Sequence, residues 1–137
     1  MEAKEILALD IGQKLTGLAR ASNVARIAEP LKNIDTKKAV DTVRDYLKNN
    51  EVEAVVVGLP RNLSGEDTAQ TKWVREWVDK AKLKITAPIY YQDEALTSKK
   101  ANSYRLTANS SADEHSLAAA IILQDFLDSP ETDRLLA

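Results

Sequence analysis

The sequence predicts a mixed α/β domain: a five-stranded sheet, three antiparallel strands followed by parallel additions, with helices packed on its faces. Two observations carry this. Residues 5–31 hold three short apolar runs separated by turn residues, the mark of a β meander. From Thr36 onward, stretches with helical spacing alternate with β-branched runs, so the element order β-β-β-α-β-α-β-α-α requires one sheet covered by helices. At 137 residues, 44% hydrophobic and 29% charged, the chain has the size and composition of one soluble globular domain over 1–137.

Each element has its own signal. Glu5 to Asp10 is a nearly continuous apolar run that stops at an acid before Ile11-Gly12, as a buried strand ends in a tight turn. Leu15 to Arg20 and Ala25 to Leu31 are two further strands, with Ser22-Asn23 between them as the turn. From Thr36 to Asn49 the apolar residues Ala39, Val40, Val43, Tyr46 and Leu47 form one helical stripe. Val52 to Leu59 is almost uniformly apolar and ends at Pro60, as a central parallel strand does. Glu66 to Lys82 is a helix with Ala69, Trp73, Val74, Trp77 and Val78 on one side. Ile85 to Gln92, with Pro88 near its start, is a strand nearer an edge. Thr97 to Leu106 is a short helix, and Ser111 with Glu114 forms a capping box for an apolar helix over Leu117 to Leu127. Residues 129–137, opened by Ser129-Pro130, are expected to be a loose tail.

Composition narrows the chemistry. There is no cysteine, which excludes thiolate catalysis, thiolate zinc sites and disulfides. No segment approaches the roughly 18 to 20 apolar residues of a membrane span, and Met1-Glu2-Ala3-Lys4-Glu5 lacks a basic stretch leading into an apolar run. The expected location is the cytoplasm, away from membranes, as a monomer or homodimer. Nineteen Lys and Arg against twenty-one Asp and Glu give a formal charge of −2, so any nucleic-acid surface must be a local basic patch.

Acids stand at three element ends: Asp10 after the first strand, Asp93-Glu94 after the last, and Asp113-Glu114-His115 at the final helix. Strand ends of a parallel-containing sheet converge on a ligand crevice, and clustered hard oxygen donors with one imidazole suit Mg²⁺ or Mn²⁺. The chemistry this points to is metal-assisted phosphodiester hydrolysis. Each acid also has an ordinary use: a turn residue at Asp10, or helix N-terminal acids at 93–94 and 113–114. With about 100° per residue and the apolar stripe centred on Ala118, Glu114 lies about 30° and His115 about 70° from that centre, while Asp113 lies roughly 130° away and reads as a capping acid. Downstream of the central strand, Gly58-Leu59-Pro60-Arg61-Asn62-Leu63-Ser64-Gly65 offers groups that grip phosphate. It lacks the Gly-Lys-Ser/Thr of a P-loop. Thr97-Ser98-Lys99-Lys100 and Arg105 offer a small basic stripe, although charged residues on a short helix are usually just solvated.

Four ordered motifs then carry a resemblance: Leu9-Asp10-Ile11-Gly12-Gln13-Lys14 with Gly17; Val56-Val57-Gly58-Leu59-Pro60; Asp93-Glu94-Ala95-Leu96-Thr97-Ser98; and His115-Ser116-Leu117-Ala118-Ala119 running into Ile121-Ile122-Leu123-Gln124. Over about residues 5 to 128 the chain resembles the YqgF/RuvX family. The resemblance implies an RNase H-like fold related to RuvC-type Holliday junction resolvases and a nuclease role in maturing the 5′ end of pre-16S rRNA. Carried over by motif, the family's three metal-centre acids fall on Asp10, Glu94 and His115. The third is an imidazole here, which binds Mn²⁺ better than Mg²⁺, with Glu114 beside it as a substitute ligand. Leu15 and Ala95 stand where the family usually has arginines.

The expectation is therefore a divalent-metal-dependent endonuclease acting on structured RNA, such as pre-rRNA, or on branched DNA. Asp10 and Glu94 would hold the metal, and His115 would ligate it or handle a proton. Lys14, Arg61, Asn62, Thr97 and Lys99 would position phosphates. The alternative is a catalytically weak RNA-binding or ribosome-assembly module that keeps the fold, which His115, the absent arginines and the net charge favour. An Asp-Ile-Gly near a first strand also occurs in sugar-kinase-like ATPases, but the short chain argues against one.

Overall fold

In the structure, a computed structural model, residues 3–62, 64–94 and 114–137 are described. Three strands open the chain, β1 (Glu5–Ile11), β2 (Leu15–Ser22) and β3 (Glu29–Asp35). A 3₁₀ turn (Thr36–Lys38) leads into α1 (Ala39–Asn49), followed by β4 (Val52–Leu59), α2 (Ala69–Ala81), β5 (Ile89–Asp93), α3 (Glu114–Asp128) and a two-residue β6 (Leu135–Leu136). One sheet runs in the order β3-β2-β1-β4-β5-β6. The first three strands are antiparallel, and β4 and β5 are added in parallel.

Strand alternation divides the core between the two faces of this sheet. Leu7, Leu9, Ile11, Val55, Val57 and Leu59 point to the side covered by Val43 of α1 and Val74 and Val78 of α2. Ile6, Ala8, Ala19, Ala21, Ala54 and Val56 point to the other, where α3 lays down Ile122, Leu123, Phe126 and Leu127. The sheet residues on that second face are mostly alanines, so α3 approaches closely. Phe126 is fully buried there, a contribution of roughly 1.5–3 kcal/mol.

Four expectations are corrected. The sheet has six strands, not five, because the tail is not loose: Leu135 and Leu136 pair antiparallel with Tyr91 and Tyr90, and the Ala137 amide donates to the Ile89 carbonyl. Arg134 anchors it from above the Phe126 ring, 4.4 Å from the centroid. The third strand begins at Glu29 rather than Ala25, because residues 23–28 form a loop tied to α3 by the Ala28 amide on Gln124 Oε1. The fifth begins at Ile89 rather than Ile85: the Ile85 amide closes the end of α2 on Ala81, and Pro88, without a donor, offers only its carbonyl to the Val55 amide. The helix expected from Glu66 starts at Ala69, since Thr68 and Thr71 form the capping box there and Glu66 and Asp67 close the preceding loop on Asn62 and Arg61. The helix expected over Thr97 to Leu106 and the Ser111 cap lie outside the described residues.

A candidate active site where helix 3 meets the strand ends

Alternation along β1, β4 and β5 places Asp10, Gly58 and Glu94 on the face that α3 covers, at the C-terminal ends of those strands. Two glycines make the room. A Cβ on Gly17 would sit 2.0 Å from the His115 carbonyl, and one on Gly12 would sit 3.0 Å from His115 Cε1, so the first turn of α3 rests on a saddle that side chains would fill. Seated there, His115 Nδ1 lies 3.0 Å from Asp10 Oδ2. With Nδ1–H donating to the carboxylate, Nε2 is the nitrogen left to accept a proton. The side chains remain partly open to solvent, 34% for His115 and 18% for Asp10.

Gly58 does the same for Glu94. Its absent Cβ would stand 2.8 Å from Glu94 Oε2, and the Glu94 amide donates to the Leu59 carbonyl at 3.2 Å. The carboxyl is therefore folded back over β4, out of bulk water. Burial first, and then the Asp10 and Asp93 carboxylates, push it up to about 8. The hydrogen bond that His115 donates to the Asp10 carboxylate raises the imidazole above its ordinary value, with burial opposing. Two carboxylates thus stand in one another's field, with the imidazole hydrogen-bonded to one of them.

The donor chemistry fits a divalent cation: two carboxylates whose repulsion a cation would relieve, one of them desolvated over a glycine. Among the described residues, however, no three Asp, Glu or His side chains converge closely enough to enclose an ion. The imidazole is directed onto Asp10 instead.

The other expected residues are placed as follows. Glu114 is exposed, whereas Ser116, Leu117 and Ala119 are buried. The apolar stripe of α3 is thus centred on the side of Ala119, Ile122 and Phe126 rather than on Ala118, which turns Glu114 outward and His115 toward β1. Lys14 is exposed on the turn after β1. Arg61 meets two carboxylates, Asp67 at 3.4 Å and Asp93 at 3.8 Å. Asn62 Oδ1 accepts the Ser64 and Glu66 amides and so closes its own loop. Asp113, Ala95, Thr97 and Lys99 lie outside the described residues.

One residue that sequence reasoning missed is Asn33. Its Oδ1 accepts the Ser116 amide at 2.9 Å; the sequence reading ends the third strand at Leu31, whereas β3 runs on to Asp35 and so contains it.

A three-stranded meander extended in parallel and covered by helices on both faces is an RNase H-like fold. The solved structures agree in fold: "T. thermophilus RuvC in complex with Holliday junction substrate" superposes with a TM-score of 0.59 at 16% identity, covering 98% of this chain and 99% of that one. The chain belongs to the RuvX family, whose model, described as "RuvX: Holliday junction resolvase", matches residues 4–129. Relatives named "Putative pre-16S rRNA nuclease" include one from Fusobacterium nucleatum, 36% identical with 91% of this chain and 97% of the relative covered. Another, from Porphyromonas gingivalis, is 35% identical with 92% and 97% covered.

Proposed function

We propose that the protein is a divalent-metal-dependent endonuclease of the cytoplasm that hydrolyses phosphodiester bonds in structured RNA, with pre-16S rRNA, which its relatives' names give, as the first substrate and branched DNA as the second. The observation that supports this most is that Asp10 and Glu94, distant in sequence, stand at one end of the sheet in one another's field, with His115 hydrogen-bonded to Asp10.

Asp10 and Glu94 are the residues that would hold Mg²⁺ or Mn²⁺, with His115 at the border of the site. Such an ion, when bound, supplies Lewis acidity toward a phosphodiester oxygen and offsets the negative charge of the pair. Asp10 also orients His115, so that Nε2 takes a proton from an attacking water while the carboxylate stabilises the imidazolium that results. Glu94, folded over Gly58 and raised to about 8, would hold such an ion as its carboxylate, so that binding would be linked to release of a proton. Lys14 and Arg61, beside the strand ends, are the described cations that would meet phosphates, joined from the sequence by Asn62, Thr97 and Lys99.

The test is cleavage of a pre-rRNA leader and of a four-way junction with Mg²⁺ or Mn²⁺, wild type against Asp10→Asn. The expected result is cleavage by the wild type and loss of about 10²-fold or more in the variant. Equal rates, or no cleavage by either, would contradict the proposal.

A second reading, a binding module that keeps the fold without turnover, is favoured by the absence of a three-ligand cluster among the described residues. It predicts RNA affinity that persists undiminished in chelator.

A further inference from the structure

We propose that Asn33 is a positioning residue for the site: it clamps the first turn of α3 into the glycine saddle and thereby sets His115 against Asp10. This rests on the reading of Asp10 and His115 as working partners.

The argument begins with register. Asp10 on β1 pairs with Gly17 on β2, and Gly17 pairs with Asn33 on β3, so the three stand in one row across the sheet. The middle member has no side chain, and the His115 carbonyl occupies the place of its Cβ. The backbone of α3 therefore crosses the row directly above Gly17, with His115 reaching one end and the Ser116 amide the other.

That amide belongs to the first helical turn, whose N–H groups have no acceptor within the helix. Helices usually satisfy them with a residue just before the first turn. Here an acceptor comes from a strand 83 positions away in sequence, and Ser116 is 1% exposed, so water does not substitute for it. The cap fixes where the helix sits on the sheet.

The clamp itself stands on a fixed base. Just beyond β3, the Thr36 hydroxyl donates to the Gly12 carbonyl at 2.6 Å and lies 2.9 Å from the buried Thr16 hydroxyl. The Thr36 amide donates to the Lys14 carbonyl. The edge strand is thus tied to the β1–β2 hairpin that carries Asp10, and Asn33 transfers that reference to the helix that carries His115. Without this acceptor, the helix start loses its tie to the edge strand, and apolar packing tolerates small slides that a 3.0 Å hydrogen bond between His115 and Asp10 does not.

The experiment uses the fact that His115 is the only histidine of the chain. Its ring nitrogens are read by long-range ¹H–¹⁵N correlation at one fixed pH in the wild type, Asn33→Ala, Asn33→Asp and Asp10→Asn, alongside kcat, KM and Tm. Asn33→Ala should move the Nδ1 signal toward that of Asp10→Asn and lower kcat by about tenfold or more with KM changed less than threefold, as expected for displaced groups. Asn33→Asp, which keeps an acceptor of the same length at a helix N-terminus, should restore the wild-type Nδ1 signal. A wild-type Nδ1 signal in Asn33→Ala would overturn the proposal, as would an Asn33→Asp signal like that of Asp10→Asn, the outcome to read should Asn33→Ala not fold. The spectra decide the clamp even if the wild type cleaves nothing, and cleavage decides the function even if the clamp fails.

Discussion

Glu94 carries an ionisation cost that should be visible in stability. Between about pH 4.5, where an exposed glutamate titrates, and about 8, the native protein retains a proton that the unfolded chain has released. Stability of the metal-free protein therefore falls as pH rises through that window. His115 acts in the same direction: its native imidazolium, favoured by Asp10, contributes fully below about 6.5, and that contribution is lost as pH rises through its raised native value. Thermal unfolding followed from pH 5 to 8.5 should show a declining Tm, with a loss on the order of a few kcal/mol, and Glu94→Gln should flatten most of the slope. A flat wild-type profile would contradict the burial of this carboxyl. Gly58→Ala separates position from stability. The atoms nearest its Cβ are the ends of side chains, Ile122 Cδ1 and the Glu94 carboxyl, so the fold should survive with Tm lowered by a few degrees while cleavage falls about tenfold or more as Glu94 is displaced. Unchanged cleavage in Gly58→Ala would remove the cradle from the account. At this scale the sequence announced Asp10 and Glu94 through their places at strand ends. Asn33 and the outward turn of Glu114 depend on which side of α3 meets the sheet, and that is decided by the alanines and glycines of the opposing strands rather than by the helix's own pattern.

At the scale of elements, what was legible is what had a strong local signal. Val52 to Leu59 was read to the residue, and β1 and β2 to within two residues at one end. The shifted elements were moved by tertiary contacts: β3 by the loop on Gln124, β5 by the proline before it, and α2 by the use of Glu66 and Asp67 in loop closure. The tail was misjudged because two leucines after a proline carry no periodicity. Their pairing depends on an edge of β5 that only the finished sheet presents. Arg134 holds that arrangement through its stacking on Phe126 and Tyr90, 4.4 and 6.0 Å from their ring centroids. Arg134→Ala should cost about 1 kcal/mol in chemical denaturation and raise amide exchange at Ala137, whose N–H donates to β5. An unaltered unfolding midpoint would show that the strand stays without its anchor.

For the whole molecule, the fold brings acids together against their own repulsion and does so in a chain of formal charge −2. Such a chain gains little from general electrostatic attraction to nucleic acid, so the function proposed above would depend on a cation seated between the carboxylates. Among the described residues no helix is long and apolar enough to cross a membrane, and both faces of the sheet are covered by the two cores; in the proposed function a substrate would meet the acids at the strand ends. The most direct measurement of this is Mn²⁺ binding at pH 7.5, followed by the free-ion paramagnetic resonance signal, in the wild type, Asp10→Asn and Glu94→Gln. Saturable uptake by the wild type that is lost in both variants is the result predicted here. Uptake equal in all three, or none in the wild type at millimolar Mn²⁺, would contradict it.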